Sequence, residues 1–339
     1  MKRSTFFAAT LFVVASPLAF LSSVAAQEKG AGKALTMRIG HATAPGAPRD
    51  LNAQEFAKRI GEISKGQIKA EVFPASQLGS NDAMLDAVGS GALEAMIIPT
   101  AFSAKVTPAF TLLDLPFLFP NMDKAVEFML GPEAQQLMKE VEPKGYKCLA
   151  FWPSDFKLMT ANKPIRKVED VKGLKFRVMA GDVLMNTYKG WGASAIPIQL
   201  NELYTALAQK TVDAQENTMG TIHDFKFYEV QKYIMESNHS LTADAFLVNR
   251  PWFEKLPADI QKAMVEEARR LAPVRKVQEI ERNNGFRKKI AELGKNEFVE
   301  ISAEEKRRFR EAGQLAYDEF IKKNPNLKPI LDAIASKYN

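Results

Sequence analysis

The stretches LDAVGSGALEAM (residues 85–96) and YTALAQKTVDAQ (residues 204–215) share one pattern: a helix end, a short polar turn, an acid and the start of a strand. Repetition of such a unit implies two similarly built lobes. Outward from the first copy, residues 36–41 read as a strand. A turn-rich run at 44–48 follows. Ala53, Phe56, Ala57, Ile60 and Ile63 then fall on one helical face. Ile68, Ala70 and Val72 alternate with Lys69 and Glu71 as a strand that Pro74 ends. A helix over 81–88 and a strand over 95–98 complete β-α-β-α-β.

Around the second copy the rhythm recurs: strand 174–178, helix 182–190, strand 195–198, helix 201–209 and strand 212–215. Strands alternating with helices predict mostly parallel sheets in an α/β chain. Ligands of such folds bind at the carboxyl ends of the strands, here in a cleft between two lobes. From Leu256 onward the chain reads as helical and charged. Ile260, Met264, Ala268 and Leu271 form a stripe that Pro273 should kink or break. The Lys and Arg residues at 282–289 and 306–310 read as a solvated face.

Length and composition fit two medium domains: 339 residues, 46% hydrophobic and 25% charged. Lys2 and Arg3 precede an apolar run over 6–21 and the small residues Val24, Ala25 and Ala26, the layout of a signal peptide cleaved after Ala26. Residues 30–33 (GAGK) lack the hydroxyl residue of a phosphate loop and read as a leader. The single cysteine, Cys148, excludes an internal disulfide and reads as a small core residue. The formal charge of +6 is dispersed, which argues against nucleic acid as a partner. His41, His223 and His239 lack metal-ligand spacing, and no GxSxG, HExxH, GxGxxG or phosphate-loop pattern occurs. Asp213, Gln215, Glu216 and Asn217 could hold a hard cation, but strand alternation sends Glu216 to the opposite face. No metal, cofactor or catalytic residue is expected.

What remains is polar chemistry at strand ends. Arg177 stands within GLKFRVMAGD (residues 173–182), where burial of a guanidinium is costly unless an anion meets it. Asn217 ends another strand, and Lys157 precedes a third at 158–160. Each has a plain structural alternative: an internal ion pair, a turn cap and a surface charge.

Three blocks carry a family resemblance: FPASQLGSNDAMLDAVGSGALEAM from Phe73, DLPFLF at 114–119, and GLKFRVMAG through GASAIPIQLNELYTAL to VDAQENTMGTIHDFKFYEVQKYIMESNH. The mature chain resembles the DctP-type periplasmic solute-binding proteins of tripartite ATP-independent (TRAP) transporters. That resemblance implies a two-lobed periplasmic binding protein-like fold with a ligand cleft and a long helix spanning both lobes, here 257–287. It implies lobe I as 27–153 plus 243–282 and lobe II as 154–242 plus 283–339. It also implies a monomeric, non-enzymatic protein of the periplasm that binds a small organic carboxylate and delivers it to a membrane permease. A ligand-sensing role in a signalling system would use the same fold, as would a sugar-acid or aromatic-acid binder of the same family.

By the same resemblance Arg177 pairs with the ligand carboxylate and Asn217 assists it. The planar fork of an arginine offers two parallel donors to a planar carboxylate. Lys157 stands where sialic-acid binders carry a second arginine, and resembles the C4-dicarboxylate binders. Ala42, Phe102, Ala180 and Leu200 replace polar positions, so a compact or partly apolar acid, a C4-dicarboxylate foremost, is expected over a sugar acid. Thr218 stands where many members have proline.

Overall fold

Met37 and Ile39 turn into the core while Leu35 and Thr36 stay exposed, which fixes the first strand, β1 (Leu35–Gly40). The computed structural model describes residues 34–338, so the signal peptide and the leader at 30–33 lie outside the described residues. After β1, the helix Pro48–Ile63 buries Ala53, Phe56, Ala57 and Ile60, whereas Ile63 is exposed at its end. β2 (Ile68–Phe73) follows. The helix Asn81–Ser90 starts where Ser80 Oγ accepts the Ala83 N–H, and it stops at Gly91, whose φ of +78° suits glycine. β3 (Ala95–Pro99) completes the unit.

The chain continues through β4 (Tyr146–Phe156), β5 (Leu158–Ala161), β6 (Lys175–Val178), β7 (Ser194–Pro197), β8 (Ala214–Asn217), β9 (Tyr233–Glu236), β10 (Leu241–Asn249) and β11 (Glu297–Glu300). One sheet has the order β2-β1-β3-β10-β4 and the other β11-β9-β5-β8-β6-β7. The parallel trios β2-β1-β3 and β7-β6-β8 have the same order, which is the structural form of the repeat at 85–96 and 204–215.

Five of the nine strand pairs are parallel, the β11–β9 pair included, and four are antiparallel. β10 runs antiparallel to β3 and β4, and β5 runs antiparallel to β8 and β9. Parallel neighbours need crossover helices, whereas β5 and β10 arrive directly from the other sheet. Only Lys157 separates β4 from β5, and only 237–240 separate β9 from β10. β8 begins two residues later than the sequence suggests, because the Asp213 carboxylate accepts the Lys175 N–H before the ladder starts. β11 lies where the sequence reads as helical. Its four residues bury only Val299 fully, too short a signal for alternation.

The helix Ala258–Glu292 runs 35 residues without a break at Pro273. Pro273 lies on the exposed side, so its ring is turned away from the core. Met264, Ala268 and Leu271 pack under the first sheet, where Trp152 of β4 donates its Nε1–H to the Ala268 carbonyl at 2.7 Å. Farther along, Ile290 joins the apolar cluster of the second sheet. One helix thus braces both sheets. Cys148 is a buried free thiol, and burial raises its pKa.

Candidate functional site

A cleft of about 630 Å³, its open mouth included, lies at the carboxyl ends of both parallel trios. Ala42 and Thr43 follow β1, Pro99 ends β3, Arg177 lies in β6 and Asn217 ends β8. Chain direction alone delivers these residues to one place.

Arg177 is 1% exposed. Its Nε and Nη2 donate to the Ile198 carbonyl at 2.8 and 2.6 Å. Its Nη1 is buried without a partner, and no carboxylate lies within ion-pair distance among the described residues. Burial pulls its pKa down to about 10 while the Glu216 charge pushes it up, so the group stays protonated at neutral pH. Asn217 donates Nδ2–H to Gln215 Oε1 at 2.7 Å, and Gln215 in turn donates to Thr160 Oγ1 at 2.9 Å. This chain orients the Asn217 amide and leaves its carbonyl oxygen free of that bond. Thr218 caps the helix Met219–Asp224 by accepting the Thr221 N–H.

Lys157 is elsewhere, which corrects its reading as a cleft cation. Its Nζ lies 3.0 Å from Glu216 Oε1 and 3.6 Å from Asp114 Oδ1, and all three side chains are at most 1% exposed. Alternation explains the arrangement: Gln215 and Asn217 face one side of β8, and Glu216 faces Lys157 on the other. His239 Nε2 lies 2.9 Å from Glu216 Oε2, and Tyr188 donates its hydroxyl at 3.1 Å. Burial pushes Glu216 up, but the Lys157 charge and the His239 bond outweigh it and hold the carboxyl at about 2. No metal-binding group of three His, Cys, Asp or Glu occurs among the described residues.

Ala42, Phe102 and Leu200 do line the cleft, but Ala180 does not. Met179 takes that place, because it follows Arg177 by two residues and shares its face. Thr43, Asn81, Ser154, Thr221 and Thr242 make the lining more polar than the sequence suggested.

Sequence reasoning missed a charged cluster on the first sheet's side. Arg49 donates Nε–H and Nη2–H to the two Asp244 oxygens at 2.8 and 2.6 Å. Arg275 Nη2 lies 2.6 Å from Asp244 Oδ2, and Arg275 reaches Glu279 Oε1 at 3.3 Å. Burial pushes Asp244 up, yet Arg49 and Arg275 hold it below its ordinary value; burial raises Glu279. Two signals could have exposed the cluster. An arginine in a helix's first turn opposes the helix dipole. Arg275 and Glu279 also extend the buried face of Met264, Ala268 and Ala272. Arg282, read as part of a solvated face, donates to both Asp224 oxygens at 2.7 Å and lines the cleft.

The two sides touch across the mouth. Gln199 donates Nε2–H to Asp82 Oδ2 at 2.8 Å. Gly181, with φ +144°, packs so closely that a Cβ there would lie 3.3 Å from the Ala101 carbonyl oxygen.

Residues 39–324 match a family described as bacterial extracellular solute-binding protein, family 7, DctP. The chain is 32% identical over 289 residues to a C4-dicarboxylate-binding periplasmic protein DctP of Vibrio cholerae, covering 85% of this chain and 84% of that one. It is 34% identical over 273 residues to the protein y4mM of Sinorhizobium fredii, where the match covers 79% of this chain and only 49% of that longer protein. A crystal structure of a TRAP periplasmic solute-binding protein from Desulfovibrio salexigens with bound orotic acid superposes with a TM-score of 0.86. It is 32% identical, and the match covers 89% of this chain and 98% of that one.

Proposed function

Since the chain belongs to bacterial extracellular solute-binding protein family 7, we propose that it captures a small organic acid in the periplasm and delivers it to a TRAP permease. The observation that carries this reading is Arg177: a buried, protonated guanidinium that lines the cleft, with Nη1 unpartnered and no acid in ion-pair contact among the described residues. A ligand carboxylate supplies the missing charge, and Asn217 holds it alongside. Water exclusion on closure strengthens these charge-assisted bonds. Met179, Phe102 and Leu200 exclude water around the carbon chain. The protein acts as a monomer, converts nothing chemically, and is exported by residues 1–26.

The lobes are 27–153 plus 243–282 and 154–242 plus 283–339. The junctions between β4 and β5 and between β9 and β10 bend as they close, with the Gln199–Asp82 bond fastening the mouth. A thermal-shift panel of organic acids on the mature protein tests this. Ligand at 100 times its Kd adds about 2.7 kcal/mol of stability. A shift with at least one carboxylate is expected, and none across the panel would overturn the reading.

A further inference from the structure

Arg177 and Asn217 both line the cleft, but they are held there by different means. The Ile198 main-chain carbonyl fixes Arg177. Asn217 is fixed by a row of buried side chains that leads away from the cleft across the second sheet.

Register builds the row. Arg177 of β6 pairs with Gln215 of β8, and Gln215 pairs with Thr160 of β5, so the three side chains share one face. Asn217, two residues after Gln215, shares it too. Gln231, between the helix Phe227–Val230 and β9, completes the line. Thr160, Gln215 and Gln231 are each at most 1% exposed, and none has a buried side-chain polar atom without a partner.

The bonds run in one sense. At the far end the Val230 carbonyl can only accept, so Gln231 turns its Nε2 to it at 3.3 Å. That leaves Gln231 Oε1 to accept from the Thr160 hydroxyl at 3.3 Å. With its one proton committed, Thr160 Oγ1 accepts from Gln215 Nε2 at 2.9 Å. Gln215 Oε1 therefore faces Asn217 and accepts its Nδ2–H at 2.7 Å. An amide alone can flip and exchange donor for acceptor, but each bond in this row forbids the flip in the next. Asn217 reaches the cleft with its nitrogen tied to Gln215, and with Oδ1 and one N–H left over. The row also keeps the Gln215 oxygen on Asn217, while Arg177 Nη1 in the neighbouring strand stays unpartnered.

We propose that Gln231, Thr160 and Gln215 are positioning residues for the ligand: they fix which way the Asn217 amide points, although neither Gln231 nor Thr160 lines the cleft. This rests on the reading of Arg177 and Asn217 as ligand contacts and adds the parts that hold one of them ready.

A double-mutant cycle by calorimetry on the mature protein tests it. The probe is whichever of succinate, orotate and gluconate binds most tightly. Thr160→Val keeps the shape of the side chain and removes the hydroxyl, and it should weaken binding about fivefold, the scale of one hydrogen bond. In an Asn217→Ala background the same change should move affinity by less than about twofold. Gln231→Met, at the far end of the row, should repeat this pattern. Thr160→Ser keeps the hydroxyl and loses a buried methyl. It should lower the thermal midpoint yet bind within about twofold of the wild type. Equal losses with and without Asn217, or unchanged affinity in Thr160→Val and Gln231→Met, would overturn the inference and leave the capture of acids by Arg177 intact. A serine variant that binds as weakly as the valine one would also overturn it, since Thr160 would then act by packing. Absence of binding by all three acids would instead overturn the acid reading on which the inference rests.

Discussion

Replacing Lys157 with methionine should damage folding far more than ligand binding. Lys157 Nζ is the only cation within 4 Å of Glu216 and Asp114 apart from the imidazole of His239, among the described residues. Burial lowers the His239 pKa, so the ring is neutral at pH 7 and contributes a hydrogen bond instead of a charge. Holding Glu216 at about 2 against an ordinary 4.5 corresponds to about 3 kcal/mol of stability at neutral pH. That stability is present above pH 4.5 and disappears as pH falls through 2. Asp114, which burial raises to about 7 against the pull of Lys157, would take up a proton once the lysine is gone. Glu216 would keep its charge with no cation beside it. Breaking one side of a buried pair costs about 3–5 kcal/mol, a fall in Tm of about 4–8 °C in a chain of this size. The assay is differential scanning calorimetry at pH 7, with affinity for the tightest acid measured below the new midpoint. Lys157→Met combined with Glu216→Leu should recover most of the loss, because an apolar pair replaces an ionic one. A variant with an unchanged Tm and abolished acid binding would refute this reasoning and restore Lys157 to the ligand.

Three further outcomes follow from other contacts. Burial, with Arg49 nearby, pulls the His41 pKa to about 4, against the opposing pull of Asp50. NMR titration should therefore show this ring neutral down to that pH. The linked stability is complete above 6.5 and falls by up to about 3 kcal/mol as pH drops towards 4, whereas an ordinary midpoint would contradict the burial. Asp82→Ala removes the bond from Gln199 across the mouth and should speed ligand dissociation several-fold, about what one hydrogen bond gives, with the on-rate unchanged in stopped flow; an unaltered off-rate would sink the fastening role. Gly190→Ala places a Cβ 2.4 Å from the Ala312 carbonyl oxygen and should cost about 1–3 kcal/mol in urea unfolding, with no change in affinity.

Much of this architecture was legible because local patterns carry it. Both β-α-β-α-β units follow from apolar spacing, and the two parallel trios put Arg177 and Asn217 at strand ends where a cleft forms. Arg177 and Lys157 looked alike in sequence, a cation beside an apolar strand. Their difference lies in partners: Glu216, 59 residues away, neutralises Lys157, and among the described residues no acid pairs with Arg177. Pairings at that separation depend on which strands become neighbours, which periodicity does not encode. Ala180 was misplaced for a local reason, since the two-residue period that turns Arg177 to the cleft also selects Met179. The cluster of Arg49, Asp244, Arg275 and Glu279 draws on a helix start, a strand and the long helix, and no single segment reveals it.

The central claim is that Arg177 binds the carboxylate of an incoming acid. Calorimetry with the tightest acid of the panel and its primary amide, on the wild type and on Arg177→Gln, tests that pairing alone. The account predicts that the wild type prefers the acid by at least about hundredfold, as a charge-assisted pair in a closed cleft requires. In Arg177→Gln, acid and amide should bind within about threefold of each other, because neither side of the pair then carries a matched charge. A wild type that binds the amide as well as the acid, or a preference that survives the substitution, would contradict it.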